Sequence, residues 1–268
     1  MAKKKQKDSL GNRMKENYEN RSKTKLIRRM PVIIRLDGKA FHTFCKGFEK
    51  PFDHRFMEAM KETTLELCKS IQGCVFGYTQ SDEISLVLVD YNTLTTDAWF
   101  DYEVQKLCSV SASLATLNFN RIFARKVNEF IKEHSGNESD EINKLISTYK
   151  KAVKKGGLFD SRCFNLPISE TVNCILWRQQ DAVRNSVLSI GQAKFSQKEL
   201  MNKSCSNIKV MLFEKHNIDW EDYATSEKRG TAVIKDETDK WIIDDNMPML
   251  IGDNRAYLED KIKFENNI

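Results

Sequence analysis

Two stretches constrain this chain more than any other feature: Arg35-Leu36-Asp37-Gly38-Lys39-Ala40-Phe41 and Gln80-Ser81-Asp82-Glu83. Each places a carboxylate where a short apolar run meets a turn. Pro31 to Leu36 leads straight into Asp37-Gly38. Cys74 to Thr79 leads into Ser81-Asp82-Glu83 and returns as Ile84 to Val89. Short β-rich runs bounded by Gly, Asp and Ser read as strands and their connections. If the two strands are neighbours, Asp37 and Asp82 meet at one edge of a sheet. Two nearby carboxylates repel unless a cation lies between them, and hard oxygen ligands suit Mg²⁺.

The rest of the chain supplies a sheet and its cover. Asp53 reads as the N-cap of a helix running to about Ile71, with Phe56, Met57, Met60, Leu65, Leu67, Cys68 and Ile71 near helical spacing. Ile84, Leu86 and Leu88 alternate with Ser85, Val87 and Val89, a nearly all-apolar pattern that predicts a strand covered on both faces. A long helix is expected over Trp99 to Val127 and another over Ser169 to Ile190. Leu158 to Leu166, Thr231 to Lys235 and Lys240 to Ile243 are further strands, and Ser196 to Asn217 reads as two shorter helices. The fold class is therefore α+β, an antiparallel-rich sheet covered by helices. A basic N-terminal segment (1–30) precedes a catalytic unit (31–195) with a peripheral helical excursion at 128–157. A helical and hairpin region (196–268) follows.

With 43 Lys+Arg against 38 Asp+Glu, the net charge of +5 permits a nucleic-acid partner without requiring one. The basic residues cluster in Met1 to Arg29 and in Lys144 to Lys155; the Lys3-Lys4-Lys5 run reads as a solvated terminus before a targeting signal. The cysteines are seven, an odd number, and none is spaced CxxC, so neither zinc nor a disulfide framework is expected. A reducing compartment, the cytoplasm or an organelle, fits best. No run approaches the ~18 apolar residues of a membrane span, and no apolar signal-peptide core is visible.

Five stretches match a known family in its own order: RLDGKAFHTF at Arg35 to Phe44, KPFD at Lys50 to Asp53, YTQSDEISLV at Tyr78 to Val87, FDSR at Phe159 to Arg162, and WRQQDAVRNS at Trp177 to Ser186. In these the chain resembles the tRNA-His guanylyltransferases, and in particular their Thg1-like branch. The resemblance implies a polymerase- or cyclase-type palm, tRNA and nucleoside triphosphates as partners, two Mg²⁺ ions and a homotetramer. One departure matters. Guanylyltransferases proper carry His-Ile-Asn-Asn after the Trp-Arg-Gln segment, where this chain has Val183-Arg184-Asn185-Ser186. That favours 3′-5′ template-directed addition to 5′-truncated tRNA over the single G added to tRNA-His.

The expected roles follow. Asp37 and Asp82 are metal ligands, with the Gly38 carbonyl a third; Glu83, next along the strand, points to the other face as an outer-shell or partial ligand. Lys50 and Ser81 match family positions that contact triphosphate, and the N–H groups of Lys39, Ala40 and Phe41 form an anion nest. His42 is more often structural than a phosphate ligand. Arg178, Asp181, Arg184 and Asn185 read by themselves as a surface ion pair; the resemblance assigns them to nucleotide or the tRNA 5′ phosphate. Lys228 and Arg229 are either the exposed start of a hairpin or a phosphate contact. Asp244-Asp245 and the Lys144 to Lys155 block are more often solvated. A nucleotide cyclase and an RNA-binding protein without catalysis are the competing readings. The basic N-terminus and the Trp177 segment argue against the first, and the intact carboxylates against the second.

Overall fold

Six strands form one sheet: β1 (Val32–Gly38), β2 (Cys74–Gln80), β3 (Glu83–Leu88), β4 (Phe159–Asn165), β5 (Thr231–Lys235) and β6 (Trp241–Asp244). Their order is β4-β1-β3-β2-β5-β6, and every neighbouring pair is antiparallel. The computed structural model describes residues 9–93, 95–136 and 139–263, so the Lys3-Lys4-Lys5 run lies outside the described residues. The helices are α1 (Leu10–Asn17), α2 (Phe41–Phe44), α3 (His54–Ser70), α4 (Val104–Glu133), α5 (Asp140–Lys155), α6 (Ile168–Lys194), α7 (Gln197–Leu200), α8 (Cys205–His216), α9 (Thr225–Arg229) and α10 (Ala256–Ile262). This is the expected α+β palm-type architecture, and β5 and β6 extend the same sheet as β1 to β4.

Period-two alternation divides the strands between two cores. Val32, Ile34, Leu36, Ile84, Leu86 and Leu88 face α3 and α4, meeting Met60, Leu67, Leu107, Ala115 and Phe119. Ile33, Phe76, Tyr78 and Val87 face the other way, onto Val172 and Ile175 of α6 and onto Leu258 and Ile262 of α10. Both faces are thus dry, as the apolar runs predict. Among the described residues, no helix is long and apolar enough to cross a membrane.

The long helix begins later than its apolar stripe suggests. Phe100, Asp101 and Tyr102 all have positive φ in a short 3-10 turn, and α4 starts at Val104. The 128–157 stretch holds the end of α4 and α5, and α5 packs through one face, with Tyr149 and Ala152 buried. The Tyr149 hydroxyl donates to Asp53 Oδ2 at 2.5 Å. Asp53 also caps α3 by accepting from Phe56 N (3.0 Å) and holds the preceding loop through Glu49 N (3.0 Å). One buried carboxylate therefore ties a loop and two helices together. Tyr149→Phe leaves that carboxylate short of a donor, and we expect a loss of about 1–3 kcal/mol in urea unfolding with α3 intact; unchanged stability contradicts the tie.

Candidate active site

Strand pairing brings the two acidic turns together. Asp37 lies opposite Glu83 in the β1–β3 ladder, and Gly38 N donates to the Asp82 carbonyl at 3.0 Å. Ser81-Asp82 is the two-residue connection between β2 and β3. Ser81 (φ 49°) and Ala40 (φ 57°) both occupy the left-handed region, which non-glycine residues rarely adopt and which recurs at functional sites. Between these two turns lies a cavity of about 510 Å³ whose wall includes Asp37, Gly38, Ala40, Phe41, His42, Lys50, Ser81 and Asp82. Beneath it, the Phe41 ring packs at a tilt against Phe44, Phe56, Phe119 and Phe159, an aromatic floor that fixes the backbone of the first turn.

The electrostatics of the corner centre on Asp82, the more buried of the two acids. Burial, reinforced by Asp37, raises the Asp82 pKa, against its own backbone N–H and the Ser81 hydroxyl, which favour the charged form. Among the described residues, no third acidic, His or Cys side chain completes a cage around them. Two carboxylates suit Mg²⁺, which takes few protein ligands and fills its other positions with water and phosphate oxygens. Burial also pushes the Cys45 thiol in this wall far up, so it does not present a thiolate nucleophile.

Part of the expected anion nest is occupied. Lys39 N donates to the Leu158 carbonyl at 2.8 Å as β1 runs beside β4, so that N–H is not available to phosphate. Ala40 N and Phe41 N have no acceptor among the described residues and remain open. The Lys39 side chain is exposed.

The helical cluster is mainly an internal ion-pair network. Arg178 is only 5% exposed; its Nε lies 2.7 Å from Glu83 Oε1, and its NH2 is 2.6 Å from Asp181 Oδ2. Arg184 and Asn185 both donate to Asp181, Asn185 at 3.4 Å, and Arg184 is the exposed member. Burial raises the Glu83 pKa and Arg178 opposes it. Glu83 therefore faces α6, as its place after Asp82 predicts, and anchors the β3 strand end. Arg178 carries no free charge for a phosphate, a correction to its expected role, because burial has paired it. Lys228 is likewise engaged, with its ammonium 2.7 Å from the Glu221 carbonyl, whereas Arg229 has a buried Nε without a hydrogen-bond partner.

Sequence reasoning missed Asp53 and Glu49 in the cavity wall, and Arg162 beside Asp37 at 3.9 Å. The KPFD and FDSR stretches held the signal, but no local rule says which of their side chains turn inward.

Two outcomes follow from this geometry. A Cβ at Gly38 would stand 2.5 Å from a ring carbon of Phe41 and 2.9 Å from the Asp82 Cβ. Gly38→Ala should keep the far-ultraviolet circular dichroism and lower nucleotidyl transfer at least tenfold; full activity contradicts the close approach. Because the folded pKa of Asp82 is raised, its stabilising effect belongs to the protonated form and is lost as pH rises through that value. In EDTA, Asp82→Asn should therefore melt higher at pH 7, by about 2–4 °C per ~1 kcal/mol relieved, and the advantage should vanish below pH ~4. A lower melting temperature at pH 7 contradicts a burial cost on the Asp82 charge.

Comparison with known proteins places the chain in a family. The family model described as tRNAHis guanylyltransferase matches residues 11–167, more than half of the chain. A probable tRNA(His) guanylyltransferase of Dictyostelium discoideum is 27% identical over 223 residues, covering 78% of this chain and 77% of that protein. A solved bacterial tRNA(His) guanylyltransferase (Thg1)-like protein in complex with ATP superposes with a TM-score of 0.79 at 38% identity, covering 95% of this chain and 99% of its own. A corresponding complex with GTP gives 0.72 at 35%, with the same coverage. The Saccharomyces cerevisiae enzyme, at 22% identity and a TM-score of 0.62, shares the fold. The chain belongs to the tRNAHis guanylyltransferase (Thg1) family of nucleotidyltransferases that act on tRNA.

Proposed function

We propose that this enzyme extends tRNA at its 5′ end in the 3′-5′ direction, pairing each nucleotide with the opposite strand. The convergence of Asp37 and Asp82 on one cavity is the observation that carries the reading. In the first step an oxygen of the tRNA 5′-monophosphate attacks the α-phosphorus of ATP and pyrophosphate leaves. In the second, the 3′-hydroxyl of an incoming nucleoside triphosphate attacks the 5′ phosphorus; its proton is lost, the bond to AMP breaks, and AMP departs. The added nucleotide keeps its triphosphate, which activates the next addition.

Asp37, Asp82 and the Gly38 carbonyl would hold Mg²⁺, which supplies activation of the attacking oxygen and charge stabilisation at the leaving one. The open N–H groups of Ala40 and Phe41, the Ser81 hydroxyl and the Lys50 ammonium bind and orient triphosphate oxygens. Arg162, held at 2.9 Å by Asp160, keeps a guanidinium beside Asp37. Glu83 and Arg178 position the Asp82 turn from the opposite face. Of the expected tRNA-contacting cations, Arg184, exposed although it donates to Asp181, and Arg229 meet a tRNA phosphate. Nucleotide complexes of the bacterial Thg1-like proteins support triphosphate binding here. The absence of the guanylyltransferase histidine before Asn185 favours repair over addition of a single G.

The test is a 5′-labelled, 5′-truncated, monophosphorylated tRNA incubated with ATP, nucleoside triphosphates and Mg²⁺. Extension that stops at full pairing is expected. Nucleotide turnover without tRNA would favour a cyclase, and binding without extension an RNA-binding protein. Asp37→Ala and Asp82→Ala each remove several kcal/mol of charge stabilisation, so both steps should fall by ~10³-fold or more with tRNA affinity retained. Retained extension by either variant contradicts the assignment.

A further inference from the structure

The Lys144 to Lys155 block is unexplained by the reaction centre, and its placement is ordered. On α5, Leu145, Tyr149, Ala152 and Val153 turn inward, while Lys144, Lys150, Lys151, Lys154 and Lys155 are exposed. Lys144, Lys151 and Lys155 stand at i, i+7 and i+11 and share one stripe ~16 Å long, flanked by Lys150 and Lys154. Among the described residues, none of the five has a carboxylate partner, although ion pairs are frequent elsewhere on the surface. The helix dipole accounts for a preference for Lys154 and Lys155 in the last turn, but not for Lys144, Lys150 or Lys151.

This stripe runs to the cavity from two sides. At its C-terminal end the chain passes through Gly156-Gly157-Leu158, and the Leu158 carbonyl accepts from Lys39 N in the first acidic turn. At its middle, Gly47 lies against Thr148: a Cβ there would stand 3.3 Å from the threonine methyl. That contact sets the exposed Lys46 beside the stripe, on the loop that forms the cavity wall. Lys46 and Lys39 are also without carboxylate partners among the described residues. The reaction centre itself is negative, with Asp37, Asp82, Asp53 and Glu49 in its wall. A polyanion reaches such a centre only along cations at its rim. In the N-terminal basic segment Lys23, Lys25 and Arg28 are paired with Glu19, Asp101 and Asp90, whereas Arg13, Lys15 and Arg21 have no carboxylate partner among the described residues.

We infer that the exposed lysine face of α5, continued by Lys46 and Lys39, is the track along which the sugar-phosphate backbone of the RNA substrate is led to the Asp37–Asp82 corner. This rests on the tRNA reading above. The contacts are to phosphate, so the track fixes register and orientation and reads no sequence.

The experiment compares the full chain with a Lys144→Gln/Lys151→Gln/Lys155→Gln variant, and with a control carrying Lys198→Gln/Lys203→Gln/Lys240→Gln. tRNA affinity is measured by anisotropy across a salt series, beside ATP binding and thermal melting. The α5 variant should melt and bind ATP like the parent, lose at least tenfold in tRNA affinity at 0.1 M salt, and show a log–log salt slope shallower by about 2–3. The control should match the parent. A variant that extends and binds tRNA with the parental affinity and slope overturns the track while leaving the tRNA reading intact. A parent that neither binds nor extends tRNA overturns both. Equal affinity of the parent for polyglutamate and tRNA assigns the face to acidic protein and overturns the RNA assignment.

Discussion

The pairing of the two acidic turns at one corner of the sheet is the constraint around which this molecule is arranged. The β1–β3 ladder sets Asp37 opposite Glu83, and the hydrogen bond from Gly38 N to the Asp82 carbonyl holds the second turn against the first. Neither acid can move away without breaking the ladder that buries Ile34, Leu36, Ile84 and Leu86. The sheet thus maintains a charge arrangement that the chain alone would not choose. On the proposed function, a cation between the two carboxylates would turn that cost into affinity.

Support for the corner is layered. On one face the Phe41 ring, wedged under Gly38, joins a run of aromatic contacts reaching Phe123 and Tyr149. Tyr149 then reaches Asp53, which caps α3 and holds the loop that carries Lys50 towards the cavity. On the other face, Glu83 and Arg178 form a desolvated pair between β3 and α6. Such pairs add little net stability, but removing one partner strands the other and costs about 3–5 kcal/mol, so they fix geometry. Left-handed Ala40 and Ser81 persist because these two layers determine the backbone on both sides of them.

How much of this was legible depended on whether a rule is local. Strand periodicity and the Asp53 cap follow from patterns within a few residues, and the structure reproduces them; the approach of Asp37 to Asp82 needed the further condition that β1 and β3 pair. Placing Glu83 on the opposite face needed only the period of a strand. The inward face of α5, Leu145, Ile146, Tyr149, Ala152 and Val153, follows helical spacing but was masked by the lysines interleaved with it. The role of Lys39 N was hidden since its acceptor, Leu158, lies 119 positions along the chain. Arg178 misled for the same reason: its helical neighbours Asp181 and Asn185 were readable, but its burial against Glu83 comes from the tertiary fold. Family likeness supplied the substrate class, which neither composition nor spacing carries.

The most direct measurement is a crystal grown with ATP and Mn²⁺, with diffraction recorded at the manganese absorption edge. The account predicts an anomalous peak bound by oxygens of both Asp37 and Asp82 at the mouth of the cavity. Manganese held by the triphosphate alone, with neither carboxylate in contact, would contradict it.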